Sequence, residues 1–253
     1  VHRSSLIPSN SMRMSRTNFS KNPHHMRLKG NREFLKEKYM RIIKKILKGT
    51  LDGNVFKRIL FLFISFLAIF YITLIISYLL LPEGFLRGKH PVVNMLELSP
   101  NVWISTLQII LYNLVFIVIL ILSSLIAEKS KILSNKYVPV SYITFWGLML
   151  LLGIIMGTWS FELSRPPETF IQRLLCTFDI YHHSGLLEIL AYLFITSVSY
   201  KFTLWYSDGK KILSSRKLWE IQLSKNEKII LACAFFLLFL SAFIESYWIG
   251  QYP

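Results

Sequence analysis

The sequence predicts an all-α fold, a polytopic helical membrane bundle of five transmembrane helices with interfacial amphipathic helices on either side. Three observations carry this reading. Hydrophobic residues make up 53% of the chain, charged residues only 17%, and mean hydropathy is +0.45, too apolar for a soluble domain of 253 residues. Five uncharged or nearly uncharged runs are each long enough to cross a hydrocarbon core, which takes about 20 helical residues. The basic residues, finally, fall in alternate loops. The formal net charge of +15 therefore follows from topology, and nucleic acid is not expected as a partner.

Taken in order, residues 1–30 are polar and basic with no apolar run, and read as a flexible tail. Residues 31–58 read as a cytoplasmic amphipathic helix and linker. Leu35, Tyr39, Ile42, Ile43, Ile46 and Leu47 recur at helical spacing, Lys and Arg fill the other face, and Gly49 and Gly53 break the pattern. Such a helix suits a bilayer with an anionic inner leaflet. The membrane domain is then 59–253. Its first span, 59–81, ends at Pro82 and is too long for a signal peptide, so it is expected to remain in the mature protein. The second span, about 102–127, carries Gln108 and Asn113, whose amides are expected to bond to a neighbouring helix.

The third span, about 137–161, contains the small-xxx-small motif Gly153-Ile-Ile-Met-Gly157, which lets two helix backbones approach closely, either within the chain or in a homo-oligomer. Gly185 opens the fourth span as a further small residue at a helix contact. Between these two spans, Pro166-Pro167 followed by Phe170, Ile171, Leu174, Leu175 and Phe178 predicts a short helix on the outer surface. The fourth and fifth spans are about 183–206 and 228–249. Of the 29 Lys and Arg, 15 precede the first span, three follow the second and seven lie in 201–228; the other side holds only Arg87, Lys89, Arg165 and Arg173. The positive-inside rule then puts the amino terminus in the cytoplasm and the carboxyl terminus outside a cell membrane. Cys176 would lie at the outer face and Cys233 near the inner one, too far apart for a disulfide.

Orientation fixes depth. At about 1.5 Å per residue, Glu188 lies roughly 8 Å and Glu245 roughly 5 Å below the outer boundary. Glu162, Arg165, Asp179, His182 and His183 belong to the same layer. A carboxylate in lipid needs a partner and marks a site by default, so these seven residues form the candidate polar cluster. Three roles stay open: helix registry, an ion or substrate path, and catalysis. The chain has neither an HExxH motif nor a nucleophile elbow, and its two cysteines make no CxxC. No catalytic residue, metal ligand or cofactor is assigned.

At these residues the sequence resembles the stage II sporulation protein M family. Gly185-Leu186-Leu187-Glu188 and Ala242-Phe243-Ile244-Glu245 match that family's PHG-x-x-E and A-F-I-E stretches position for position, and GIIMGT is similar to its Gly-rich third span. The likeness runs loosely from about residue 101 onward and is specific in the last two spans. It departs before Gly185, where His183 and Ser184 stand at the family's Pro and His. The resemblance implies a multi-pass scaffold or accessory subunit that holds partner membrane or surface proteins, as family members in spore formers anchor an engulfment complex. The alternative is a membrane-embedded enzyme or transporter that uses the Glu and His cluster.

Overall fold

The computed structural model describes residues 23–88, 99–133, 136–160, 169–174, 184–209, 211–214 and 216–251. They form six α-helices: α1 Pro23–Thr50, α2 Val55–Leu80, α3 Val102–Ser124, α4 Val140–Thr158, α5 Leu186–Ser199 and α6 Lys225–Gln251. Four of them, α2, α3, α4 and α6, are long and apolar enough to cross a membrane. The chain divides into two units, residues 1–42 and 43–253. In the first, α1 carries an exposed Glu37–Arg41 ion pair at 3.5 Å, and Phe34, Leu35 and Tyr39 are exposed.

Three boundaries differ from the sequence reading, each for a local reason. Helix α1 begins at Pro23, inside the expected tail, and runs through Gly49. Helix α2 begins at Val55, four residues before the uncharged run, because the Asn54 side chain caps it by accepting from Phe56 N at 2.9 Å. Lys57 and Arg58 thereby join its first turn. Asn101 caps α3 in the same way. The third correction is α5. The expected 24-residue span is here 14 helical residues followed by a 3-10 turn, Tyr200–Phe202, and a strand. At 1.5 Å per residue α5 rises about 21 Å.

What α5 lacks in length it makes up in burial. It packs against α2, α3, α4 and α6, and Ala191, Leu193, Ile195, Thr196, Ser197, Val198 and Ser199 are fully enclosed. Its hydroxyls do not burden the interior, because Thr196, Ser197 and Ser199 each donate to a carbonyl three or four residues back. Ser199 also meets Ser141 of α4 at 2.9 Å.

The all-α expectation is corrected by a four-stranded sheet, β1 Ile126–Lys129, β2 Tyr137–Pro139, β3 Trp205–Ser207 and β4 Ile212–Ser214, in the order β2-β1-β3-β4. The strand after α3 pairs in parallel with the strand after α5, and each outer pair is antiparallel. The sheet gathers the end of α3, the start of α4 and the end of α5 at one pole of the bundle. Arg58 and Glu227 bring the starts of α2 and α6 to that pole. At the opposite pole Gly84 N, just past α2, donates to Thr158 O at the end of α4 at 2.7 Å, and Trp103 at the start of α3 packs at a tilt on Phe243 late in α6. Consecutive helices from α2 to α6 thus alternate in direction.

Helices α2 and α4 approach closely at two glycines. A Cβ on Gly153 would lie 2.9 Å from Phe70 O and from Thr73 Cβ, and one on Gly157 would lie 2.5 Å from Leu74 O. The small-xxx-small motif is used inside the chain. Gly185 is the N-cap of α5, with ordinary right-handed backbone angles. Helix α4 ends in a Schellman motif, with Ser160 N bonded to Ile155 O and Trp159 N to Met156 O, which places Trp159 at φ 49°. Of the short helix expected between the third and fourth spans, residues 170–174 are helical, and Pro166, Pro167, Leu175, Cys176 and Phe178 lie outside the described residues.

Candidate functional site

Glu188 and Glu245 flank one contact between α5 and α6. Ser184 lies four residues before Glu188, just ahead of α5, Ser241 and Glu245 are one turn apart on α6, and the Ser241 hydroxyl donates to Ser184 O at 3.1 Å. The helices run antiparallel from that bond, so the two acids leave in opposite directions along the axis. Helical side chains lean toward their own amino terminus. In an antiparallel pair this tilts Glu188 and Glu245 back toward one another, and Glu245 lies within electrostatic reach of Glu188.

The surroundings are tyrosine and hydrocarbon. Tyr192, one turn after Glu188, donates its hydroxyl to Glu188 Oε1 at 2.7 Å. Its ring packs on Phe116 of α3 with centroids 6.2 Å apart. Tyr112, one turn before Phe116, is also within electrostatic reach of Glu188. Among the described residues Glu245 forms no hydrogen bond, and both acids are half-buried rather than enclosed. Glu162, Arg165, Asp179, His182 and His183, which complete the cluster read from the sequence, lie outside the described residues. No group of three His, Cys, Asp or Glu suited to a metal occurs among the described residues. Of the amides of α3, Gln108 Oε1 accepts from Ser99 N just before its own helix, and the buried Asn113 Nδ2 has no hydrogen-bond partner among the described residues.

Among the described residues two buried arginines pair with carboxylates of the chain. Arg58, fully enclosed, donates to Glu227 Oε1 at 2.6 Å, to Ser197 O and Asp52 O at 3.0 Å and to Gly53 O at 3.3 Å, with its guanidinium 5.1 Å from the Tyr200 ring centroid. Glu227 Oε2 in turn accepts from Ser224 N and Oγ. At the opposite pole Arg173 donates to Gly157 O at 2.7 Å, where the α4 carbonyls need donors, pairs with Glu83 at 3.7 Å and lies over Tyr78 and Trp159.

Sequence reasoning had counted Arg58 among the tail charges and Arg173 among the outer ones, and had assigned no role to Glu227, Tyr112 or Tyr192. One signal was present. Ser224-Lys-Asn-Glu227 is a capping box, and the Glu is the Arg58 partner.

The described residues form a mostly helical bundle in which four helices are long and apolar enough to cross a membrane. No family model, curated protein or solved structure matches the chain.

Proposed function

We propose that the chain crosses a cell membrane five times, amino terminus in the cytoplasm and carboxyl terminus outside, and serves as a scaffold or accessory subunit for partner membrane or surface proteins. This is the role that its resemblance to the stage II sporulation protein M family implies. Two features support α5 as the fifth pass. It runs opposite to both α4 and α6, and the four apolar helices shield it laterally, so its short helix need not match the bilayer against lipid. The distribution of 25 basic residues against four supports the orientation. An alkaline phosphatase fused after Pro253 is then expected to be active, and activity instead from a fusion within 207–227 would reverse the orientation.

The observation that carries the scaffold reading is the half-buried Glu188 and Glu245 pair. Each other buried acid or base described above meets its opposite charge inside the chain. This pair offers two acceptors at a helix corner with a tyrosine hydroxyl as its hydrogen-bond donor, a docking point for a donor side chain on another membrane protein. Purification in a gentle detergent, with mass spectrometry of companions and metal content, tests it. Companions are expected with the wild type, with Glu188→Gln and with the paired replacement of His182 and His183, and are expected to be lost with Glu188→Leu. A solitary, metal-loaded chain would turn the reading toward an enzyme.

A further inference from the structure

The sheet at the basic pole does more than tie helix ends together. On its face, Ala127 of β1 stands between Pro139 of β2 and Tyr206 of β3. A methyl group flanked by two larger side chains leaves a hollow. Tyr137, two residues before Pro139 and so on the same face, closes one side by packing on Tyr206 with ring centroids 4.7 Å apart. The resulting cavity is about 480 Å³, within the range of small-molecule sites of about 300–1,000 Å³.

Its charge is one-sided. Lys136, Lys201 and Arg216 line it together with Tyr200, and no carboxylate does. Among the described residues none of the three cations makes an ion pair. Arg216 is held in place from behind, Nε donating to Thr203 O at 2.9 Å and Nη2 to Lys201 O, the free carbonyls that end the 3-10 turn. Nη1 remains outside these bonds. Three like charges around one hollow repel each other until an anion enters. A fixed guanidinium, two ammonium groups and phenolic hydroxyls are the donor set that a phosphate group uses.

We propose that this cavity is a binding site for a phosphate ester. The pole it occupies is where the basic loops converge, the level of lipid headgroups on the anionic leaflet. The phosphate can come from a lipid headgroup or from a soluble ester, and both bring the same chemistry to Lys136, Lys201 and Arg216.

The test uses the full chain in a neutral detergent and native mass spectrometry, with dioleoyl phosphatidic acid, dioleoyl phosphatidylcholine and glycerol 3-phosphate as probes. Phosphatidic acid is expected to be retained over phosphatidylcholine. The paired variant Lys136→Gln and Lys201→Gln is expected to weaken retention about tenfold. Lys225→Gln with Lys228→Gln removes the same charge from exposed positions at the same pole and is expected to leave it within about twofold. Ala127→Leu keeps every charge and fills the hollow, and is expected to weaken binding as much as the lysine pair. Glycerol 3-phosphate competing at equal concentration would assign the site to soluble esters, and failure to compete would assign it to lipid. Equal losses from the two lysine pairs, or no preference for phosphatidic acid together with no binding of glycerol 3-phosphate, would overturn the proposal.

Discussion

Arg58 shows how one side chain can hold three helices. Its donors reach the loop before α2, the last turn of α5 and the capping acid of α6, and the Glu227 bond spans 169 residues of sequence. Removing one partner of such a pair strands the other in a medium that cannot solvate it. Arg58→Met is therefore expected to cost about 3–5 kcal/mol of stability. Replacing Glu227 by Met as well is expected to recover part of that loss, since no lone carboxylate then remains. Thermal unfolding in detergent reads both, and a double variant no better than Arg58→Met would contradict the pairing. The sequence exposes the two halves of this contact without exposing the contact. Ser224 to Glu227 has the spacing of a capping box, but a basic residue beside the first span looks the same whether it faces water or a carboxylate.

Among the elements, legibility follows length. The four long helices were visible as apolar runs, and GIIMG announced a close approach without naming α2 as the partner. The strands were not visible. IAEK, YVP, WYS and ILS are three or four residues each, too short for a period-two pattern to rise above chance, and β1 finds β3 across 79 residues through Ala127 and Tyr206. The end of α5 was overextended because neither Gly nor Pro marks it; the chain leaves the helix to enter the sheet. The glycine contact itself can be tested. With Leu74 O 2.5 Å from where a Cβ would stand, Gly157→Ala must push α2 and α4 apart, a strain of about 1–3 kcal/mol. Gly147, with nothing near its Cβ position, is the control, and the same substitution there is expected to leave the melting temperature unchanged or slightly raised. Equal effects at the two positions would remove the close approach from the account of stability.

For the molecule as a whole, the acid pair and the basic pole make the two ends chemically unlike. Glu188 and Glu245 stand out in the sequence as carboxylates inside apolar runs. The cavity was not visible there, because Lys136 precedes β2 while Lys201 and Arg216 stand 15 residues apart in the connection between α5 and α6, and only the sheet brings them together. The Arg58 and Glu227 pair also imposes an order on biosynthesis. Arg58 enters the bilayer boundary with the first long helix, while its counter-ion lies in the last helix and leaves the ribosome roughly ten to thirty seconds later at ordinary elongation rates. During that interval the nascent chain carries an unneutralised guanidinium at the membrane edge, a mark that distinguishes an unfinished chain from a finished one. A chain ended at Ser224 keeps that mark permanently. In a pulse-chase measurement it is expected to be degraded faster than the full chain, and Arg58→Met in the truncated chain is expected to lengthen its lifetime; equal lifetimes with and without the arginine would show that the cell does not read it.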